Sequence, residues 1–230
     1  MRRLMRGLKW LLAGLVLLAL AYQLWVFGHL LWWMRFNPSE TSFMSLRLAE
    51  LRERQPDAQL RWQWVPYERI SVQLKRAVVA SEDDGFVDHE GFDWEGIQRA
   101  MEKNRKKGHA VAGGSTISQQ LAKNLFLSPS RSYLRKGLEA IITFMMEAVM
   151  DKRRILEIYL NVVEWGDGVF GAEAAARRYY HVSAAQLGPE QAARLAVMLP
   201  NPRKYEKQFG PRLAAHAASV AARMHYSQVP

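Results

Sequence analysis

Between Trp10 and Trp33 the chain runs WLLAGLVLLALAYQLWVFGHLLWW without one formal charge, and this run limits what everything after it can become. As a single helix it reaches about 36 Å, enough to cross a hydrocarbon core of roughly 30 Å with some tilt. Trp10 at one end and Trp25, Trp32 and Trp33 toward the other suit the two interfacial belts, where a ring with one polar edge is favoured. Arg2, Arg3, Arg6 and Lys9 precede the run, and clustered positives stay on the cytoplasmic side. The reading is a cytoplasmic tail over 1–9, a transmembrane helix over 10–33, and all later residues outside the cytoplasm. Ala19-Leu20-Ala21 offers a small-x-small triplet for a cleaved signal peptide, but the apolar run continues well beyond it. His29 reads as a polar interfacial tip.

The chain has 230 residues, room for one medium domain behind such an anchor. It has no cysteine, which removes thiolate metal sites and thiol nucleophiles and suits an oxidising compartment. Net charge is +10, and the basic surplus beyond the N-terminal tail fits an anionic partner such as lipid headgroups or phosphates. Nucleic acid is excluded as a partner, because an exported, tethered domain does not meet it. Residues 34–66 read as a juxtamembrane helix (Ser39–Gln55, with Ser39 as its cap) and a linker. In that linker Leu60–Val65 alternates as a short strand or extended segment. Trp62 and Trp64 would rest on lipid or cover the core. From Tyr67 to Pro230 the pattern is helix after helix. Pro189 and Pro211 fall at first-turn positions, and the Ala214–Ala222 stretch is a packing face.

Three stretches of that domain carry chemistry. Ser81-Glu82-Asp83-Asp84-Gly85-Phe86-Val87-Asp88-His89-Glu90-Gly91 crowds carboxylates and an imidazole behind the helix that contains Leu74, Ala77 and Val78. Such a run is a solvated loop unless one acid is part-buried, in which case crowding and desolvation raise its pKa toward that of a base. Gly113-Gly114-Ser115-Thr116-Ile117-Ser118-Gln119-Gln120-Leu121-Ala122-Lys123-Asn124 reads as a glycine-freed turn into a helix capped by Ser115. Helical spacing puts Thr116, Gln120 and Lys123 on one face of it. Arg131-Ser132-Tyr133-Leu134-Arg135-Lys136-Gly137-Leu138-Glu139 opens a helix so apolar all round that it is expected to be buried, its charges lining a cleft. The basic run Lys103–His109 reads as a mobile loop, or as one that meets diphosphate or anionic lipid. Asp151 is a plausible cap for the helix bearing Glu157 and Asn161, which brace rather than react.

Glu82-Asp83-x-x-Phe86-x-x-His89-x-Gly91, Gly114-Ser115-Thr116-Ile117-x-Gln119-Gln120-x-x-Lys123-Asn124 and Arg135-Lys136-x-x-Glu139 follow one another in order. Arg154-Ile155-Leu156-Glu157-x-Tyr159-Leu160-Asn161 and Gly171-x-Glu173-Ala174-Ala175-Ala176 come next. Together, over about 67–205, they resemble the monofunctional biosynthetic peptidoglycan transglycosylases of glycosyltransferase family 51. The resemblance implies a mainly α, lysozyme-like glycosyltransferase domain over 67–230 with a small membrane-proximal lobe. It implies polymerisation of lipid II at the outer face of a bacterial inner membrane, with inversion to β-1,4 links and release of polyprenyl diphosphate.

By that resemblance Glu82 is the general base and Lys123, Arg135 and Lys136 receive the diphosphate. Glu139 orients those cations or helps place a metal. Asp83, Phe86, His89, Ser115, Thr116, Gln119, Gln120 and Asn124 bind substrate or shape the cleft. No cofactor is obligatory and no metal site is assigned, although Mg or Mn assisting the diphosphate is allowed. The partners implied are lipid II, the growing lipid-linked strand, the membrane and other cell-wall synthesis proteins. Ser118 stands where threonine is common, Glu164-Trp165-Gly166 replaces an aromatic-x-glycine turn, and Tyr180-His181-Val182 lacks a frequent lysine. The alternatives are a lytic transglycosylase or lysozyme-like muramidase, which needs no cation cluster, and an inactive tethered scaffold.

Overall fold

A computed structural model describes residues 2–108, 113–130 and 132–230, so His109 of the basic run and Arg131 of the third motif lie outside the described residues. The first helix, α1 (Arg2–Trp33), takes in the basic tail as well as the apolar run, since Leu, Met, Lys and Arg all favour helix. Helix α2 (Ser42–Arg54) follows. Its cap is Thr41, which accepts from Met44 N at 3.1 Å, and not Ser39, which lies too far from the first turn to reach an orphan N–H. Strand β1 (Arg61–Trp62) realises the expected extended segment. Trp62 and Trp64 cover the body: Trp62 Nε1 donates to the Asn161 carbonyl at 2.8 Å, and the Arg154 guanidinium stands 5.5 Å from the Trp64 ring centre.

Helix α3 (Val72–Glu82) is capped by Ser71 and buries Leu74, Ala77, Val78 and Val79. Helix α4 (Trp94–Lys107) is capped by Asp93 and is polar, with its basic last turn on the surface. Helices α5 (Ile117–Phe126), α6 (Tyr133–Val149) and α7 (Lys152–Val162) come next, and α7 is capped by Asp151 as expected. Strands β2 (Glu164–Gly166) and β3 (Val169–Phe170) pair antiparallel across an Asp167-Gly168 turn, with Gly168 at φ +71°, the kind of left-handed position that glycine fills without strain. β3 also takes β1 in parallel, giving the order β1-β3-β2. Helices α8 (Ala172–Tyr180), α9 (Pro189–Ala196), α10 (Pro202–Lys207) and α11 (Pro211–Arg223) complete the chain, the last three opening on proline. In α11 only Ala217 and Val220 are buried; Ala214, Ala215, Ala218 and Ala222 face outward, so the expected packing face is narrower than the alanine run.

The helices form two packed groups. In one, α3 lies against α9 and α11; in the other, α5 lies against α2, α6 and α7. α1 belongs to the second group: Val26 and Leu30 are fully buried, and the Trp25 and Trp33 rings stand 5.9 and 5.2 Å from Phe126 of α5. Arg154 of α7 clamps the end of α1, donating to the Trp33 carbonyl at 2.8 Å and the Phe36 carbonyl at 2.7 Å. Helix α6 departs from the expectation of burial all round. Glu139, Ile142, Thr143 and Met146 form its buried stripe, while Tyr133, Leu134, Ile141 and Phe144 are exposed. Apolarity on every side therefore does not bury this helix against protein alone.

Gly171 joins β3 to α8 at φ +80°, and a Cβ there would sit 2.6 Å from the Asn161 carbonyl oxygen. That is backbone, which cannot swing aside. Gly171→Ala is expected to lower stability by roughly 2–4 kcal/mol, read as a fall in the thermal midpoint in detergent. Gly137→Ala, inside α6 with open space around it, is expected to shift the midpoint upward instead.

Candidate active site

Glu82 is the last residue of α3, where the helix stops and its side chain turns toward α5. Gln120 Nε2 of α5 donates to Glu82 Oε2 at 2.8 Å. Burial pushes the Glu82 carboxyl up to about 7, and the Asp83 charge adds to that. The Gln120 hydrogen bond and the Lys123 ammonium pull it down. A carboxyl at that value is a competent proton acceptor near neutral pH.

The following loop is fastened rather than loose. Asp83 accepts from His89 Nε2 at 2.8 Å on one oxygen and from Ile117 N at 2.9 Å on the other. Gly91 N donates to His89 Nδ1 at 3.1 Å, so Nδ1 is the acceptor and Nε2 carries the proton that Asp83 receives. The second oxygen of Asp83 lies at the N-terminus of α5, where free amides and the helix dipole favour an anion. Thr116, not Ser115, caps α5: it accepts from Gln119 N at 3.2 Å, donates to the Gly91 carbonyl at 2.7 Å, and forms a capping box with Gln119. Thr116 is adjacent to the first helical turn, and Ser115 one residue earlier points to solvent and receives Lys136 Nζ at 3.2 Å.

Glu139 of α6 is 3% exposed and takes Arg135 Nη1 at 2.6 Å on one oxygen and Lys136 Nζ on the other. Burial lowers the Lys123 ammonium, Glu139 raises it, and Arg135 and Lys136 lower it again. The three cations and the two glutamates are thus one electrostatic cluster, in which Lys123 feels the charges of both Glu82 and Glu139.

Two clefts flank this region; they share no lining residue, and the Gln120–Glu82 hydrogen bond links the wall of one to the wall of the other. One of about 900 Å³ is lined by Glu82, Asp83, His89, Ser115 and Thr116 together with Phe92 and Trp94. The other, about 190 Å³, is lined by Gln120, Lys123, Asn124, Arg47, Glu164 and Asn201. Four residues expected to touch substrate line neither cleft: Arg135 and Lys136, which with Glu139 stand on α6 outside both linings, and Phe86 and Gln119. Phe86 is fully buried, with Lys152 4.7 Å above its ring, and the Gln119 side chain is consumed in the capping box. Phe86 and Gln119 shape the site from behind.

Two residues went unassigned in the sequence reading. Glu164, which stands where an aromatic is usual, faces Arg47 at 3.3 Å, and burial pushes its carboxyl up to about 7. Tyr159 of α7 is fully buried and donates to Gln120 Oε1 at 2.9 Å. Burial and the Glu82 charge raise this hydroxyl well above its usual range, so it stays a neutral donor. By holding Oε1 it turns Gln120 Nε2 toward Glu82. The signal is a tyrosine two residues before Asn161 inside a motif, but nothing local reveals its partner on α5. Tyr159→Phe frees the amide to flip, so the acid limb of kcat/KM is expected to move up by about 0.5–1 pH unit with the fold intact.

The sequence comparisons identify the family. A family model described as Transglycosylase matches residues 49–225. A protein named biosynthetic peptidoglycan transglycosylase from Aromatoleum aromaticum is 68% identical over 230 residues, covering 100% of both chains. Proteins of the same name from Azoarcus sp. and Dechloromonas aromatica are 66% and 64% identical, again over 100% of each chain. With most of its length matched to that family model and curated members aligned end to end, the chain belongs to the transglycosylase family.

Proposed function

We propose that this chain polymerises lipid-linked disaccharide-peptide, lipid II, into peptidoglycan glycan strands by inverting transfer. The observation that carries the reading is Glu82, raised to about 7 on the wall of the larger cleft, bonded to Gln120 of the smaller one, and in the field of Lys123, which Glu139, Arg135 and Lys136 also act on. The larger cleft takes the acceptor, whose sugar 4-hydroxyl gives its proton to Glu82 as it attacks the anomeric carbon of the donor. General-base help of this kind is worth about 10²–10⁴ in rate. The smaller cleft takes the donor, and the bond to its diphosphate breaks toward Lys123, with Arg135 and Lys136 adding to the positive field there. Fixed cations facing a charge that grows in the transition state stabilise it without reorganising. Arg135 Nε is buried with no hydrogen-bond partner among the described residues, a donor that a diphosphate oxygen would satisfy. One displacement takes an α-linked donor to a β-1,4 product.

A resident divalent ion does not fit the donor set. Both oxygens of Glu139 are held by cations, and among the described residues no three His, Asp or Glu side chains gather as ligands. No step is routed through a metal. A muramidase would protonate a sugar leaving group and has no use for these cations, which favours synthesis over the lytic reading. A scaffold has no need of a glutamate raised toward neutrality.

The anchor bears on where the reaction runs. In the apolar stretch Met5–Trp33, side chains are exposed all round as far as Ala21, and packing on the body begins at Tyr22. Counted from Trp10, where the charge-free run begins, that free length is about 18 Å, less than a hydrocarbon core of roughly 30 Å. The body, with the exposed Leu134, Ile141 and Phe144 of α6, would therefore sit partly in the outer leaflet, on the periplasmic side given the basic N-terminus. Both substrates are lipid-borne, so this depth confines the search to the bilayer surface. Other wall-synthesis proteins are expected neighbours.

The test is purified full-length protein incubated with labelled lipid II in detergent. Long β-1,4 glycan is the expected product. Short cleavage products from preformed glycan would mark a lytic enzyme, and no turnover a scaffold.

A further inference from the structure

The wall of the larger cleft contains a feature that the proton transfer and the cation cluster leave unused. Trp94, the first residue of α4, is 69% exposed, and its ring stacks on Phe92 with centroids 5.5 Å apart and planes 16° from parallel. Both rings line the same cleft as Glu82. The pair is flanked by polar groups. Asp93 caps α4 through Gly96 N at 2.7 Å, and Arg99 bridges Asp93 at 3.3 Å and Glu95 at 3.2 Å.

A flat apolar surface bordered by carboxylates and a guanidinium matches one chemical class closely. A pyranose shows a face of C–H groups and a rim of hydroxyls, so a ring lying on the indole satisfies both at once. A lipid chain or the bilayer interior would match the ring but would have to desolvate Asp93, Glu95 and Arg99, at a cost far above the gain from one indole. The cleft of about 900 Å³ also has room for more than the single sugar whose hydroxyl meets Glu82.

We infer that Phe92 and Trp94 form a sugar-stacking platform on the acceptor side, carrying a pyranose ring of the acceptor saccharide while its neighbour presents the reactive hydroxyl to Glu82. The inference rests on reading the larger cleft as the acceptor site. It names aromatic stacking as the source of acceptor affinity, independent of the base and of the cations. Because the indole is exposed and Asp93 supplies the cap, truncation leaves the fold of α4 intact.

The test pairs binding with kinetics in the full-length protein. Saturation-transfer NMR with a soluble trimer of β-1,4-linked N-acetylglucosamine should show transfer to the sugar ring protons in wild type. Trp94→Ala should lose most of it, Trp94→Tyr should keep it, and Trp94→Leu, apolar but not flat, should not rescue it. With lipid II, Trp94→Ala should raise KM about tenfold, with kcat within about twofold and the thermal midpoint unchanged. Unchanged transfer and KM in Trp94→Ala would overturn the platform even if wild type polymerises normally. Full rescue by Trp94→Leu would also overturn it, and would point to contact with lipid. Trp94-dependent sugar binding in a wild-type protein that fails to polymerise would support the platform and sink the polymerase reading alone.

Discussion

Glu82→Gln is expected to lower kcat/KM for lipid II by about 10²–10⁴ while making the protein more stable at pH 8. Both effects have one cause. The folded carboxyl sits at about 7 against a reference of 4.5, so between those values the folded state binds more protons than the unfolded state. Stability therefore falls as pH rises through that window, and the whole penalty is present above it. Glutamine cannot ionise and escapes the penalty, on the order of 2 kcal/mol after allowing for partial exposure, or roughly 4–8 °C in midpoint. Thermal unfolding of the pair at pH 5 and pH 8 checks the sign, because the gain should be small at pH 5 and full at pH 8. An active variant, or one less stable than wild type at pH 8, would refute the assignment of Glu82 as a strained base.

Lys123→Met should be nearly as damaging, by a different route. It removes a cation that feels both Glu82 and Glu139, where burial has stripped the ammonium of water and made it a stronger electrostatic partner. Loss of one such group facing a developing charge costs about 10²–10³ in kcat. Lys123 also holds the Glu82 carboxyl down, so its removal should move the acid limb of the pH profile upward. A structural lysine would leave that limb where it is. Lys123→Arg should keep the limb in place and lose rate only through geometry. Turnover and limb both unchanged in Lys123→Met would mean that the diphosphate is met elsewhere.

Much of this arrangement was legible before any coordinates. The charge-free run from Trp10 to Trp33, the cap at Asp151, the first-turn positions of Pro189 and Pro211, and the shared face of Gln120 and Lys123 follow from periodicity and capping chemistry. The roles of Glu82 and Glu139 came from family resemblance, since an acidic loop alone reads equally well as solvated surface. What stayed hidden depends on contacts distant in sequence. That Tyr159 sets the orientation of Gln120 requires knowing that α7 packs on α5. The capping error at Ser115 arose because two adjacent hydroxyls are equivalent in sequence and only backbone geometry chooses Thr116. Helix α6 misled for a related reason: composition gives apolarity on all sides, but whether protein or lipid covers each side is a property of the assembly.

The central claim is that a carboxylate kept near neutrality by burial activates the acceptor. The most direct measurement is kcat/KM for lipid II polymerisation by the full-length protein from pH 5 to pH 9, because that quantity reports the titration of free enzyme. The account predicts an ascending limb with an apparent pKa near 7, displaced upward in Tyr159→Phe and Lys123→Met. A profile already flat at pH 5, as for a carboxylate at its ordinary value, would contradict it.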